Sequence, residues 1–502
     1  MCFRCVNEGI TIKKQDGDGQ STKVGQTVDT NPQVKVFFND GEGNETGVAG
    51  VEVYFYPSGN SAVNPQVEKT DANGLASTQW TMGTQVDSYH LDVQPRGVSF
   101  ANIVFTANAS LGDPDAMQAM DWQSGQSGTA GELFGVRPAV KIVDKYDNPI
   151  PGESITFAIN QGGGTLDDDN NNTITVTTNS DGVASVSWTL GQIAGSNQLT
   201  ATHSSLGDLS FSVEGVAGAP AQLDLSTQPI ANIISGKTMT QQPVVIIEDR
   251  FGNLTLSNTE ITVAVANNPD GKGRLDGQAL VTATNGVARF EGLSFEGKIG
   301  TDYTLQFNSV ELDAVTSNPI QVSQPGDPTI LTANSSHSSG AEAGSNTSAT
   351  ATLTDRPGNP IPNQTIAFTV TGGNGSVTTP TTTTDNQGVA TVGWTLGTRV
   401  DTNNLEVNVD HCCSVTLRVN TYAGPPATLA MTQAPAPGNV KSGYAFETQP
   451  ILQILDRFDN VIYDEQYFLV AGIYQGDYYK VRFADESQIQ ARNINGFVEF
   501  TD

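Results

Sequence analysis

Apolar and polar residues alternate over short runs along most of this chain. Ile155, Phe157 and Ile159 alternate with Thr156 and Ala158, and Ala184, Val186, Trp188 and Leu190 alternate with Ser185, Ser187 and Thr189. A period of two places successive apolar side chains on one face of an extended segment, so these runs predict half-buried β-strands. Clusters of Gly, Asn and Asp interrupt them, as at residues 161–164 and 167–172, where the chain has to turn. No long stretch shows helical spacing.

The pattern repeats. Gly-Val/Leu-Ala or a close variant recurs at Gly74, Gly182, Gly286, Gly388 and Gly496. An Asp-x-x-Gly/Asp-Asn turn precedes each one, at residues 40–44, 144–148, 249–253, 355–359 and 456–460. A small-residue-plus-proline joint falls at residues 113–114, 219–220, 327–328 and 425–426. Three independent markers at one period of about 100 residues define a tandem array. About seven short strands per repeat is the rhythm of an immunoglobulin-like sandwich. The fold class expected is all-β, with tandem immunoglobulin-like β-sandwiches in an elongated rod. The divisions expected are 1–111 (with an N-terminal extension), 112–217, 218–325, 326–423 and an incomplete 424–502. Repeats one, two and four carry Trp80, Trp188 and Trp394 on the apolar side of their alternation, as structural core. Repeats three and five have Phe290 and Phe500 after the turn glycine instead.

Composition narrows the function. Only 15% of residues are charged, and 24 Lys+Arg against 53 Asp+Glu give a net charge of −29. That balance argues against nucleic acid, which needs clustered cations, and against docking on anionic lipid. No window approaches the roughly 18 apolar residues of a membrane-spanning helix. Residues 1–9 have neither the basic start nor the apolar stretch of a secretory signal, which suits a processed chain or a piece of a longer one.

The same residues resemble the bacterial immunoglobulin-like domains of the invasin and intimin adhesins. The match is best at 144–151 with Phe157, at 355–362 with Phe368, and through Asp181-Gly182-Val183-Ala184, Trp188-Thr189-Leu190-Gly191 and residues 197–201. Repeats three and five resemble a sister type from long bacterial surface proteins. The resemblance implies an extracellular or cell-surface bacterial spacer presenting a separate head. A host receptor or surface glycan would then be met through a region not present here.

Candidate chemistry is sparse. The four histidines, His90, His203, His337 and His411, have no metal-ligand spacing, and no Gly-x-Ser-x-Gly elbow occurs, so a non-enzymatic protein is expected. Ser235-Gly236-Lys237-Thr238 imitates the end of a phosphate-binding loop, but Ala231 stands where that motif needs glycine. Acidic clusters at 16–19, 40–45 and 167–169 offer oxygen ligands for Ca²⁺, yet none has the full spacing of a calcium loop. No other cofactor is expected. Asn-x-Ser/Thr sequons start at Asn44, Asn108, Asn171, Asn253, Asn334, Asn346, Asn363 and Asn374, and residues 378–384 form a Thr-rich tract open to O-linked sugar.

Four cysteines remain. Cys2 and Cys5 form a Cys-x-x-Cys, and Cys412 and Cys413 are adjacent near an expected hairpin tip. Local disulfides or idle thiols are one reading, and an intermolecular bridge from Cys2 or Cys5 to Cys412 or Cys413 is the other. The fifth repeat has only six residues after Gly496. That suits either a fragment or a sandwich completed by a strand from another copy, with residues 2–14 as the donor in a head-to-tail filament. Three functions follow: a stalk or adhesin shaft, a self-assembling filament subunit, or a carbohydrate-binding accessory array, which would need exposed aromatics. Short Pro-containing links would make the rod semi-rigid, and its length somewhat under roughly 200 Å.

Overall fold

Described in the computed structural model are residues 9–96, 102–167, 171–436, 446–464, 467–471 and 490–500. All of the regular structure among them is β-strand apart from tight turns. The chain divides into two compact units: residues 1–222 with 248–256, and residues 223–247 with 257–502.

The first unit holds two sandwiches. In the second of them, Ala139–Val143 lies between Ala116–Ala119 and Val183–Ser185 in a three-stranded antiparallel sheet. The facing sheet runs Ser127–Thr129, Gly207–Val216, Gly195–His203, Ser154–Gln161 and Thr173–Thr177, and its first pair is parallel. Ile155, Phe157, Val186, Trp188, Leu199 and Phe211 are all 0% exposed between the two layers. The first sandwich repeats the five-stranded order with Gln20–Lys23, Ile103–Ser110, Ser88–Pro95, Glu52–Pro57 and Val67–Lys69. Trp80 lies in its core, at 0% exposure.

Two expectations change here. The run from Ala184 to Leu190 reads as one strand, but it forms two, in different sheets. Val183–Ser185 pairs with Ala139–Val143, whereas Trp188–Leu190 pairs with Gly164–Leu166. The switch is held at Ser187, whose N–H and hydroxyl both donate to the Asp167 carboxylate at 2.7 Å. The strand-donor reading of residues 2–14 also fails for its second half. Ile10–Asp16 pairs antiparallel with Gln33–Asn39 of its own repeat, because Ile12 belongs to the first core. Residues 2–8, with Cys2 and Cys5, lie outside the described residues.

In the second unit, the third repeat orders Asn232–Ile234, Ile320–Gln324, Asp302–Asn308, Glu260–Asn267 and Leu280–Thr282 in one sheet. Val244, Val245 and Ile246 pair with Arg289, Ala288 and Val287 in the other. The fourth repeats the order with Ala341–Glu342, Cys413–Tyr422, Thr402–Val409, Thr365–Gly372 and Thr381–Thr383 around Trp394. The described part of the fifth has a small buried core of Ile454, Ile462, Val498 and Phe500.

The recurring turn glycines have a steric reason. Gly182 has φ of 73°, in the left-handed region, and a side chain there would run into the Ile142 carbonyl, which accepts no bulk at that distance.

Candidate functional joint

The Asp-x-x-Gly/Asp-Asn turns carry a dense polar geometry, as the bonds of the turn at 249–253 illustrate. Each closes on itself first. Asp249 N donates to Asn253 O at 2.9 Å, and the Asp249 carboxylate accepts from Phe251 N, Asn253 N and Asn253 Nδ2. The fourth turn position is left-handed in every copy, at Gly43, Asp147, Gly252, Gly358 and Asp459, which explains why only Gly or Asp stands there.

In repeats two to five the turn then reaches outward. Its Asp takes the backbone N–H of the link that enters the repeat, through Gly112, Gly218, Gly326 and Gly424 at 2.8–3.1 Å. Its Asn binds a loop of the preceding repeat. Asn148 Nδ2 donates to Thr84 O at 2.8 Å, Asn253 Nδ2 to Gln192 O at 2.7 Å, Asn359 Nδ2 to Gly297 O at 2.8 Å, and Asn460 Nδ2 to Thr398 O at 2.7 Å. In three joints the same amide also accepts: Asn253 Oδ1 from Ala194 N, Asn359 Oδ1 from Ile299 N, and Asn460 Oδ1 from Val400 N. The turn at 249–253 groups with the repeat before it, in the first unit.

An aromatic side chain adds apolar contact. Tyr146, Phe251 and Phe458 each fill the space that a side chain would need on Gly25, Gly131 and Gly344 of the preceding repeat. Those glycines have φ of 69°, 72° and 76°. A cation caps each ring: Lys145 over Tyr146 at 4.7 Å, Arg250 over Phe251 at 4.5 Å and Arg457 over Phe458 at 4.5 Å. Arg250 also pairs with Glu132 at 2.7 Å. The fourth repeat departs from this, with Pro357 in the aromatic position and Arg356 reaching Glu296 at 3.4 Å.

Burial and hydrogen bonding set the charge of the joint carboxylates. Burial pushes the Asp249 carboxyl up, but the Asn253 amide and the N–H groups of Gly218, Asn253 and Phe251 outweigh it and hold it at about 2. Asp144 and Asp456 are lowered by the same balance. In the first repeat the turn reads Asp40-Gly41-Glu42-Gly43-Asn44, without cation or aromatic. It is exposed and bonds within itself and to the adjacent Asn39, whose side-chain oxygen accepts from Gly41 N.

The sequence located these turns but not their outward use, since most of the receiving atoms are backbone. A signal was present in the receiving glycines, because Val24-Gly25, Ala130-Gly131, Ser235-Gly236 and Ala343-Gly344 recur at the same period. The phosphate-loop look-alike is one of these: Gly236 is left-handed and Lys237 pairs with Asp327 at 2.8 Å.

The other candidates fall elsewhere. Trp80, Trp188 and Trp394 lie in three separate cores. Asp18 is occupied by Lys14 and by Thr106 N, and Asp167 by Ser187, while 168–170 lie outside the described residues. Among the described residues no three His, Cys, Asp or Glu side chains gather as a metal site would require. His203 is buried against Glu153 at 3.0 Å, whereas His90, His337 and His411 are exposed. Of the sequons, Asn253 is 8% exposed with its amide fully engaged in the joint, so it is closed to glycan, while the other seven asparagines are exposed. Cys412 and Cys413 are bonded to each other.

Comparison with known proteins follows the same lines. Residues 330–418, the body of the fourth repeat, match the family described as bacterial Ig-like domain (group 1). No curated protein sequence matches the chain. Among solved structures it is similar to the Escherichia coli adhesin FdeC, with 17% identity over 62% of this chain and 100% of that one, at a TM-score of 0.33. It is similar to invasin, a bacterial integrin-binding protein, with 16% identity over 84% of this chain and 82% of that one, at 0.33. InvD of Yersinia pseudotuberculosis is 15% identical over 63% of this chain and 98% of that one, at 0.30. What the chain presents is a tandem array of all-β, immunoglobulin-like sandwiches, with a bacterial immunoglobulin-like domain as its fourth repeat.

Proposed function

We propose that this chain is a shaft segment of a bacterial cell-surface adhesin, a non-enzymatic extracellular stalk that carries load and holds a binding region away from the cell. The observation that carries this reading is the repeated joint. Four times, an Asp–Asn turn ties the entering link and the loop of the preceding repeat with the same bonds. A linker meant only to connect domains needs no such contacts, since flexible polar chain suffices. Here the links are short, and each buries a carboxylate at the joint, with Asp144, Asp249, Asp355 and Asp456 at most 2% exposed. The host receptor would lie outside this segment.

Electron microscopy of the negatively stained, purified chain, with and without reductant and Ca²⁺, tests the proposal. Separate extended particles under every condition support a shaft. Head-to-tail fibres would instead favour the filament subunit, and collapsed particles would contradict both.

A carbohydrate-binding role is favoured by one observation. Tyr54 and Tyr56 stack at 6.2 Å and 10° on the outer face of the first repeat, and Tyr56 is 42% exposed. Every other aromatic pair among the described residues is tilted or edge-on. Binding of neutral glycans that is lost in Tyr56→Ala would support this role, and an unchanged glycan profile would remove it.

A further inference from the structure

The bond between Cys412 and Cys413 joins residues that are neighbours in sequence. It sits where the hairpin turns from Thr402–Val409 into Cys413–Tyr422, through Asp410 and a left-handed His411 with φ of 59°. Cys412 is exposed, whereas Cys413 is half-buried against the core of the fourth repeat. Cys412 Sγ lies 3.3 Å from the carbonyl oxygen of Pro328, in the link that enters this repeat.

A disulfide stabilises a fold mainly by closing a loop in the unfolded chain, and the effect grows with loop length. Between adjacent residues there is no loop to close, so this bond does little for stability. The Cα atoms are 3.8 Å apart, the spacing of one peptide unit and below the range usual for structural disulfides. Bonds outside that range and open to solvent belong to the labile class. The position is that of a reagent, with one sulfur reachable and the other held directly behind it.

We propose that this tip is a thiol–disulfide exchange site whose co-reactant is an external thiol. The external thiolate attacks Cys412 Sγ, a new sulfur–sulfur bond forms there, and the Cys412–Cys413 bond breaks. The electron pair leaves on Cys413, whose thiolate takes a proton from water. The mixed disulfide then has two fates. Cys413 attacks Cys412 Sγ and expels the external thiol, restoring the ring. Otherwise a second external thiol attacks the external sulfur, so that two external thiols are oxidised to one disulfide and the ring is reduced to two cysteine thiols. Reduction also gives Cys412 an S–H able to donate to Pro328 O. The site therefore accepts a thiol-bearing partner covalently and reversibly, and it does so whether or not the shaft reading holds.

The test uses the full chain carrying Cys2→Ser and Cys5→Ser, so that only the tip pair remains. It is incubated with glutathione in one arm and with a protein bearing a single exposed cysteine in the other, quenched in acid, and mapped by peptide mass. A mixed disulfide on Cys412, or thiols at 412 and 413 that appear only with the added thiol, is the expected result. Reaction in the first arm alone identifies a small-thiol site, and reaction in both identifies one that also takes protein thiols. Cys413→Ser removes the resolving sulfur, and with glutathione disulfide its Cys412 adduct should form about ten-fold faster than the Cys413 adduct of Cys412→Ser. Circular dichroism establishes that both variants are folded. Free thiols at both positions before any reductant is added, a ring untouched by either thiol, or equal rates in the two variants would overturn the proposal.

Discussion

The ring of Phe251 occupies the space that a side chain on Gly131 would need. One residue belongs to the turn that opens the third repeat, the other to a loop of the second, and the contact sits beside Asn253 and its bonds to Gln192 and Ala194. Gly131→Ala should therefore disturb the joint twice, through left-handed backbone strain and through displacement of the ring. Together these cost about 2–4 kcal/mol. Limited proteolysis of the full chain should show faster cleavage in the 216–222 link, with the cores of repeats one and four unaffected.

The two kinds of Asp–Asn turn differ in what they hold, so equal substitutions should have unequal effects. Asn253→Ala leaves Gln192 O and Ala194 N without their partners in a closed site, at a cost of about 1–3 kcal/mol. Asn44→Ala removes only local bonds on an exposed turn and should cost about 0.5 kcal/mol or less. Calorimetry of the two variants side by side measures the difference. Equal losses would mean that the outward bonds contribute nothing.

Acid should loosen the joints before it unfolds the sandwiches. The Asp249 carboxyl is held at about 2, below its unfolded value, so its contribution is fully present above the unfolded pKa and is lost as pH falls towards 2. Asp144 and Asp456, also lowered, should act in the same direction at their own joints. Amide hydrogen exchange at Gly218 and Asn253, corrected for its intrinsic pH dependence, should show protection falling from pH 4 downwards. In Asp249→Asn that dependence should flatten.

The buried tryptophans separate by their hydrogen bonds. Trp80 Nε1 donates to Ser61 Oγ at 3.2 Å, while Trp188 Nε1 and Trp394 Nε1 have no hydrogen-bond partner among the described residues. Replacement by Phe removes the same volume in each case but loses a hydrogen bond only in the first. Trp80→Phe should be more destabilising than Trp188→Phe or Trp394→Phe by about 1 kcal/mol, read from denaturant midpoints.

The sequence carried the sandwiches well, because their strands alternate and their turns demand particular residues. Gly182 and its four counterparts stand where φ is positive, and the same restriction shows Gly or Asp at the fourth position of each Asp–Asn turn. The run from Ala184 to Leu190 misled because both sheets bury the same face. The bonds between Ser187 and Asp167 mark where the chain crosses. The joint was legible on one side only. Asn148, Asn253, Asn359 and Asn460 stand out in the sequence, but Thr84, Gln192, Gly297 and Thr398 receive them through carbonyls, which any residue has. The tip cysteines were placed on a hairpin by register, yet adjacency alone left open whether they pair with each other or with another chain.

Within each unit, the joint holds the orientation of one repeat on the next. Double electron–electron resonance across the first joint tests it most directly, with spin labels at Gln66→Cys and Ser210→Cys, both exposed, in a chain whose own cysteines are replaced by serine. A narrow distance distribution at neutral pH, broadened when Tyr146→Ala and Asn148→Ala are introduced together, is the result expected. A distribution already broad in the parent, or one that the two substitutions leave unchanged, would contradict it.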